Sequence, residues 1–231
     1  MRMRKKKHST ERLAACERFI FNSENTPISR DRESGEIYLE IGAGKGRFAC
    51  AMAERHTDAR YFAMEKVTDC VVLAAERAAS GEYGELANLK FVIDTADNLL
   101  RIFEPGSVDA IFLNFSDPWS KKGYAKRRLT HRRYLALYMH LLRDGGVIRF
   151  KTDNVGLFDF SLEEIEAMGL TPRIVTRDLH ASEWNDGNIM TEYEENFSSQ
   201  GVNINMLELV KPAGLSPELD SAFTDERHYA L

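Results

Sequence analysis

The chain has 231 residues, 43% of them hydrophobic, and its formal net charge at pH 7 is −5. This length and composition favour one large domain with a full core over two small ones. The three cysteines match no zinc spacing, no apolar run approaches the roughly 20 residues that cross a membrane, and the basic N-terminus lacks the apolar stretch of a signal peptide. We therefore predict a cytoplasmic protein with no metal site and no membrane partner.

The basic residues are concentrated in two blocks. Residues 2–7 hold five of them and residues 119–133 hold seven more, with no acid in either block. These twelve charges leave a net charge of −17 on the rest of the chain. An acidic body with two concentrated basic blocks indicates a local face for a polyanion. A solvated charge run and a flexible basic terminus are the alternative that composition leaves open.

Strand and helix patterns alternate along the chain after an expected N-terminal helix at residues 9–24. Seven short runs, mostly apolar without clean alternation, are typical of strands buried on both faces. They are residues 36–42, 59–65, 89–94, 108–115, 145–152, 171–178 and 203–211. We expect the last of these to be an edge strand.

Helical patterns lie between the strands at residues 46–56, 67–80 and 132–146. The alternation predicts an α/β fold, a doubly wound, mostly parallel seven-stranded sheet with helices on both faces. We expect a single domain over residues 1–211, which includes the basic N-terminal extension, and a polar, flexible tail over residues 212–231.

The first strand leads into a glycine-rich turn, EIGAGKG, at residues 40–46. Glycines at a strand-to-helix turn let a ligand approach the backbone closely. A phosphate-binding P-loop needs Ser or Thr after Lys45, and a dinucleotide fingerprint needs its third glycine where Arg47 stands. The remaining pattern, G-x-G-x-G two residues after Glu40, resembles the first motif of class I S-adenosylmethionine-dependent methyltransferases. A tight turn without a ligand is the alternative for the glycines taken alone.

Acids at the ends of the first three strands agree with this cofactor, which carries a cationic sulfonium and ammonium and no phosphate. We expect Glu40 to face the cationic methionine end. Glu65 closes the second strand, where an acid can accept hydrogen bonds from both ribose hydroxyls. After the third strand, the residues expected at the adenine edge are Asp94, Thr95 and Asp97.

Residues 112–129, FLNFSDPWSKKGYAKRRL, turn from an apolar strand to a carboxylate and an indole and then to a basic run. Ligand sites of doubly wound sheets lie outside the carboxyl ends of the strands, so we expect Asp117 to point into the cleft near the sulfonium. Pro118 fixes the direction of the turn. Trp119 is suited to stack on an incoming base, and the basic run to hold the phosphates that carry it.

The chain resembles the bacterial tRNA (guanine-N7)-methyltransferases over residues 8–210. The resemblance rests on LEIGAGKG, LNFSDPWSKKGYAKRRL, FKTDN and DLHASEWNDGNIMTEYEENF and on the register between them. It implies a Rossmann-like class I methyltransferase fold, S-adenosyl-L-methionine as cofactor and tRNA as partner. The implied reaction is methyl transfer to N7 of the guanine at position 46 in the tRNA variable loop. Monomer and homodimer both remain open.

The resemblance also implies roles for single residues, with Asp117 as the catalytic residue. The implied cofactor contacts are Glu40, Gly42, Gly44, Glu65, Thr95, Asp97 and Asp117. The implied guanosine contacts are Lys121, Asp153, Thr191, Glu192, Tyr193 and Glu194. The implied RNA contacts are Gly123, Tyr124, Ala125, Lys126, Arg127 and Arg128.

The chain departs from the family pattern at three places. Ser120 stands where the family usually has Pro, Gly123 and Tyr124 replace a more typical Arg-His pair, and Thr95 stands where an acid is common. The second departure removes positive charge from residues 123–128, the implied RNA contacts, and the third changes the adenine contact. None of them touches the methyl-transfer centre, so we expect activity.

Guanine N7 has an exposed lone pair and needs no general base, so we expect catalysis by positioning and electrostatics. Asp117 or Asp153 would stabilise the charge that the purine gains. Asp153 and Glu194 are candidates to accept hydrogen bonds from the guanine N1–H and exocyclic amine, which would exclude adenine. The alternatives are an ordinary strand-end turn for KTDN and a capping box for Thr191 with Glu194.

Three other functions share part of the pattern. A methyltransferase for small molecules or proteins keeps the cofactor half, but the acid-free block 119–133 argues against it. In a non-catalytic RNA-binding protein we would not expect Glu40, Glu65 and Asp117 together. A nicotinamide-dependent oxidoreductase is disfavoured by Arg47 in place of the third glycine.

Overall fold

A computed structural model of the chain describes residues 8–21, 27–29 and 35–224. Its strands are β1 (Ile37–Ile41), β2 (Arg60–Met64), β3 (Leu89–Val92), β4 (Val108–Asn114), β5 (Leu142–Thr152), β6 (Ile174–Thr176) and β7 (Asn205–Val210). They form one sheet in the order β3-β2-β1-β4-β5-β7-β6. β1 to β5 run parallel, and β7 is antiparallel to both of its neighbours. The predicted seven-stranded, mostly parallel sheet is therefore confirmed.

Seven α-helices accompany these strands in the described residues. They are α1 (Ser9–Ala15), α2 (Arg47–Arg55), α3 (Thr68–Ala79), α4 (Leu99–Ile102), α5 (Arg132–Leu141), α6 (Val155–Glu166) and α7 (Glu192–Ser198). The helix predicted over residues 132–146 ends at Leu141, because Leu142 already pairs with Val108 in the sheet. The expected N-terminal helix is shorter than predicted, with α1 followed by a 3₁₀ turn at Glu17–Phe19; residues 22–24 lie outside the described residues.

The core has two halves because the sheet is apolar on both faces. All seven residues of β4 are buried, and its consecutive residues Ile111 and Phe112 point to opposite sides of the sheet. Ile111 packs in one cluster with Leu137 of α5 and Phe158 of α6. Phe112 packs in the other with Phe48 of α2 and residues of α3. This burial on both faces is the reason that the strands carry no clean polar alternation.

The prediction that residues 203–211 form an edge strand is wrong. β7 pairs with β5 on one side and with β6 on the other, so the three-residue β6 is the edge. The interior position of β7 is compatible with a charged residue because Glu208, 1% exposed, accepts hydrogen bonds from Arg149 and Arg173. A very short edge strand also leaves few unpaired backbone groups.

Part of the C-terminal tail packs onto the domain, in contrast to the expected flexibility. Ser221–Phe223 forms a 3₁₀ turn, and the ring of Phe223, 1% exposed, lies 5.4 Å from the ring of Tyr134. The basic residues 2–7 and the last residues, 225–231, lie outside the described residues. No helix in the described part of the chain is long and apolar enough to cross a membrane.

Candidate active site

A cavity of about 750 Å³ opens at the carboxyl ends of β1, β2, β3 and β4. The strand order reverses here, because β2 lies on one side of β1 and β4 on the other. The volume falls within the roughly 300–1,000 Å³ usual for cofactor and small-molecule sites. The residues predicted for the site that line this cavity are Gly42, Glu65, Asp94, Thr95, Asp97, Asp117, Gly123, Lys126 and Arg127. Four strand ends and the basic loop thus contribute to one site.

The three glycines of the turn after β1 have different functions. Gly42 and Gly44 have positive φ angles, 87° and 55°, and a Cβ added at either one would meet no atom of the described residues within 4 Å. Gly46 also has positive φ, but its added Cβ would lie 2.7 Å from the Cβ of Ala74. The first two therefore leave space for a ligand to approach the backbone, whereas Gly46 allows α2 and α3 to pack closely.

The acid at the end of β2 is fixed by the glycine turn. Glu65 accepts a hydrogen bond from the backbone N–H of Gly44 at 3.1 Å and one from Val67 at 2.9 Å. It is only partly buried and lines the cavity, so its carboxylate oxygens keep lone pairs for further donors. This geometry suits an acceptor for ribose hydroxyls.

The predicted adenine end lies between β3 and α5. Asp97 accepts hydrogen bonds from Arg133 at 2.7 Å and from the Tyr134 hydroxyl at 2.9 Å. Thr95, which replaces the acid common in the family, is exposed on the cavity wall. The cavity wall here combines a neutralised carboxylate with an uncharged hydroxyl.

Glu40 does not line the cavity. It is 2% exposed, and its carboxylate accepts a hydrogen bond from Asn114 Nδ2 at 3.0 Å. Burial raises the pKa of Glu40 to about 7. Asn114, which ends β4 and does line the cavity, was not predicted as a site residue. Glu40 therefore reaches the cavity through the orientation of the Asn114 amide, and its predicted direct contact with a cofactor stays a prediction.

Two residues around Asp117 have strained backbones. Phe115 and Trp119 have φ angles of 52° and 41°, a region that non-glycine residues seldom adopt. The turn between them exposes Asp117 on the cavity wall. Arg128 holds this turn by donating to the carbonyl oxygens of Pro118 at 3.0 Å and Trp119 at 3.1 Å. Such strain is frequent at functional sites, where the surrounding structure maintains it.

The basic loop, residues 121–128, forms a second wall of the same cavity. Its 3₁₀ turn spans Lys122–Arg127, and the Arg127 guanidinium lies over the rings of Trp119 and Tyr124, 5.2 and 4.7 Å from their centroids. Lys126 and Arg127 line the cavity, whereas Lys121 is exposed and does not line it. A ligand that fills the cavity would thus meet the cations of this loop on one wall. At the strand ends it would meet carboxylates together with Lys66 and Arg133, which also line the cavity.

The segment before and within α7 carries four of the residues predicted to contact guanosine. Thr191 caps α7 by accepting a hydrogen bond from the backbone N–H of Glu194 at 2.9 Å, as the capping pattern predicts. Glu194 is completely buried and accepts hydrogen bonds from Lys151, His180 and Asn188. Because donors occupy both of its oxygens, the geometry argues against direct base reading by Glu194.

Tyr193, an aromatic residue of α7, packs against Phe115, which lines the cavity. It is 43% exposed, its ring stacks on Phe197 at 4.2 Å, and it lies 4.9 Å from Phe115. Burial and the neighbouring carboxylate of Asp153 raise the pKa of Tyr193. Asp153 is therefore close to the exposed aromatic group, whereas Glu192 points away to Lys45 and Arg77.

The residues present fit the cofactor that the sequence implies. The open space at Gly42 and Gly44 admits a ligand to the backbone, and Glu65 offers a carboxylate to hydroxyl donors. The acids that line the cavity are Glu65, Asp94, Asp97 and Asp117. A cationic nucleoside matches this arrangement better than a nucleotide, whose phosphates these carboxylates would repel.

Known proteins similar to this chain point in the same direction. Residues 34–207 match the model of a family described as putative methyltransferases. The chain is 39% identical over 212 residues to a tRNA (guanine-N(7)-)-methyltransferase of Bacillus cytotoxicus, which covers 90% of this chain and 96% of that protein. It is 44% identical over 168 residues to a Halalkalibacterium halodurans protein of the same name, with 73% and 74% covered.

Solved structures share the fold at low sequence identity. The 16S rRNA methyltransferase KamB is 12% identical with a TM-score of 0.60, covering 82% of this chain and 97% of that one. A 16S rRNA (adenine(1408)-N(1))-methyltransferase from Catenulisporales acidiphilia, solved with its cosubstrate SAM, is 14% identical with a TM-score of 0.53. That likeness covers 93% of this chain and 96% of that one, and it extends to the fold alone.

Proposed function

The chain belongs to the tRNA (guanine-N7)-methyltransferase family, and from this premise we propose that it methylates N7 of a guanine in tRNA with S-adenosyl-L-methionine. The finer proposal is the guanine at position 46 in the variable loop, which the resemblance of residues 112–129 implies. Identity of 39% over 90% of the chain supports the activity. With tRNA as substrate, we assign the enzyme to the cytoplasm.

The observation that carries this proposal is the composition of the cavity walls. The carboxylates of Glu65, Asp94 and Asp117 line the same cavity as the cations of Lys126 and Arg127. A cationic cofactor and a polyanionic substrate need these two environments side by side, since like charges repel and unlike charges attract over short distances. A small neutral substrate would have no use for the basic wall.

The cofactor end is formed by the ends of β1, β2 and β3. Gly42 and Gly44 admit the methionine part, Glu65 accepts from the ribose, and Thr95 with Asp97 borders the adenine. Glu40 acts from beneath, through Asn114. When bound, the cofactor supplies an electrophilic methyl group, which guanine N7 takes up with its lone pair while the sulfonium becomes a neutral thioether.

The charge that the guanine gains is stabilised by Asp117. Its carboxylate is exposed on the cavity wall, and the turn that carries it is held by Arg128. No residue needs to remove a proton, because N7 carries none. The chain contributes orientation and a nearby negative charge, and preorganised electrostatic stabilisation is usually the largest single contribution to catalysis.

We assign recognition of the base to Asp153 and Tyr193. Asp153 is partly exposed beside Tyr193 and has acceptor oxygens for the guanine N1–H and exocyclic amine, which adenine lacks in that arrangement. The exposed ring of Tyr193 offers a stacking surface for an unstacked base. Glu194 has a positioning role, since it fixes the start of α7 through Lys151.

The test is methyl transfer from radiolabelled S-adenosylmethionine to unmodified tRNA transcripts, with nucleoside analysis of the product. We expect label in 7-methylguanosine, lost when the transcript carries adenine at position 46. Label in another nucleoside, or label that survives this change, would overturn the reaction or the position respectively. An otherwise identical transcript with a changed anticodon-loop guanine is the matched control and should be labelled normally.

A further inference from the structure

Two acids of α7 are ion-paired with the cofactor side of the domain. Glu192 accepts a hydrogen bond from Arg77 of α3, and Lys45 Nζ lies 3.4 Å from its carboxylate. Arg77 also donates to the carbonyl oxygen of Lys45 at 2.9 Å. Lys45 belongs to the glycine turn itself, between Gly44 and Gly46. The carboxylate of Glu192 thus joins α7 to the turn that faces the cavity.

A second pair lies one helical turn further along. Glu195 is ion-paired with Arg47, the first residue of α2 and the residue directly after the glycine turn. Together the residues form a cluster, here called the α7 latch, that consists of Lys45, Arg47, Arg77, Glu192 and Glu195. The latch connects the glycine turn, α2 and α3 to α7. The residues of each pair are more than 100 positions apart in the chain.

The latch is partly exposed, which decides what it can do. Side-chain exposures range from 25% for Arg77 to 54% for Glu195, and single ion pairs of this kind add little to stability. Burial alone would raise the pKa of Glu192, but Arg77 and Lys45 hold that pKa below its usual range. A network of weak pairs is suited to joining two elements that order together, more than to holding the fold.

We propose that the α7 latch couples the cofactor site to the guanosine site. This coupling rests on the proposed function, in which Tyr193 receives the base. Tyr193 lies on α7 between the two latch acids in sequence, and its ring contacts that of Phe115, two residues before Asp117. A ligand that orders the glycine turn fixes Lys45 and Arg47, which fixes α7 and the surface that receives the base. Glu192 is then a positioning residue, and it does not contact the guanosine. By linkage, tRNA must tighten cofactor binding by the same factor.

The experiment measures the tRNA dissociation constant with and without saturating S-adenosylhomocysteine. We expect the product to tighten tRNA binding by about 10-fold in the unmodified protein, within the usual range of coupling between sites. In the variant Glu192→Gln with Glu195→Gln the factor should fall to about 2-fold or less. Asp159→Asn is the control, because it removes a similarly exposed ion pair, with Arg177, that joins α6 to the segment after β6 and involves no residue of the latch; it should keep the factor.

The factor between the two tRNA dissociation constants, without and with the product, distinguishes coupling from direct contact. If Glu192 touched the guanosine, its loss would weaken tRNA binding equally with and without the product, and an unchanged factor would overturn the latch. Arg77→Gln tests the same link from the other side, should the double variant fail to fold. If the unmodified protein binds and methylates tRNA but shows no coupling, the latch alone is refuted; if it does not bind tRNA at all, the proposed function fails with it.

Discussion

The ammonium of Lys151 lies 2.5 Å from the carboxylate of Glu194, and the two side chains are 3% and 0% exposed. Lys151 comes from β5, an interior strand of the sheet, whereas Glu194 comes from α7. Lys151 also donates to Asn188 and to the carbonyl oxygen of Ile189, and Glu194 also accepts from His180. This buried network anchors the segment that precedes α7 to the sheet beneath the proposed guanosine site.

Glu194→Gln should therefore destabilise the fold more than it changes any ligand contact. It leaves the buried Lys151 ammonium without its counter-charge, which typically costs about 3–5 kcal/mol. Urea unfolding followed by circular dichroism measures the loss. Combining it with Lys151→Met removes the unpaired charge, so the double variant should be more stable than Glu194→Gln alone. A stable Glu194→Gln protein that binds tRNA poorly would instead favour direct base reading.

The buried Glu40 should make stability depend on pH. Burial raises the pKa of Glu40 from 4.5 to about 7, so between these values the folded chain holds a proton that the unfolded chain has released. The contribution to the free energy of unfolding is fully present below about pH 4.5 and is lost as pH rises through about 7. The loss is about 3 kcal/mol by the usual conversion.

Glu40→Gln isolates this contribution, since an amide does not titrate in this range. Relative to the unmodified protein, the variant should gain stability between pH 5 and pH 8 by up to the same amount, because it lacks the buried ionisation. Urea unfolding of both proteins at four pH values checks the difference. Parallel pH profiles for the two proteins would contradict the buried, protonated Glu40.

The glycines of the turn after β1 should separate ligand binding from stability. Gly46→Ala forces a Cβ to within 2.7 Å of the Ala74 Cβ, so it should destabilise by about 1–3 kcal/mol, as overpacking does. The Cβ of Gly42→Ala meets no atom within 4 Å in the part of the chain that the structure describes, so this variant should mainly weaken S-adenosylhomocysteine binding. Gly81→Ala is the control, because its φ of 81° carries the same strain away from the cavity. Equal cofactor affinity in the Gly42 and Gly81 variants would contradict the turn as a cofactor site.

The sequence patterns predicted the sheet because its strands are buried on both faces and are therefore apolar runs, as in β4. They also predicted that Glu65, Thr95 and Asp117 share one cavity, since the carboxyl ends of parallel strands meet at one edge of the sheet. The order of the last two strands was not predictable. The arginines that neutralise the buried Glu208 of this interior strand, Arg149 and Arg173, come from separate segments.

The partners of two predicted site residues could not be predicted from the sequence. Glu194 and Glu192 stand in a motif that the family resemblance ties to guanosine, but their partners lie 43 positions away in Lys151 and 115 positions away in Arg77. Nothing local in the sequence indicates such pairs. The positive φ of Phe115 is likewise set by its surroundings, because a phenylalanine has no intrinsic preference for that conformation.

The two halves of the basic loop should respond differently to substitution. Lys126→Ala with Arg127→Ala removes cations that line the cavity, so it should weaken tRNA binding and lower its salt dependence by about one unit of slope per lost phosphate contact. Arg128→Ala frees the turn at Pro118 and Trp119, so it should reduce the turnover rate more than the salt slope. Filter binding at several salt concentrations, with single-turnover rates, tests both. An unchanged slope in the Lys126 and Arg127 variant would remove these residues from the RNA interface.

Asp117→Ala should slow methyl transfer by about 10²–10³-fold, while tRNA affinity stays within a few-fold. The carboxylate is exposed on the cavity wall, and Arg128 holds its turn through the backbone carbonyls of Pro118 and Trp119, so the loss of this side chain removes charge stabilisation and leaves the cations that bind RNA in place. Loss of a preorganised electrostatic partner commonly lowers rates by about 10²–10³-fold. Single-turnover methylation under saturating cofactor measures this, and Asp117→Asn, which keeps the shape, should be nearly as slow. The exposed Asp58→Asn, between α2 and β2, is the charge-matched control and should react normally. A rate within 10-fold of the unmodified protein in Asp117→Ala would transfer the charge-stabilising role to Asp153.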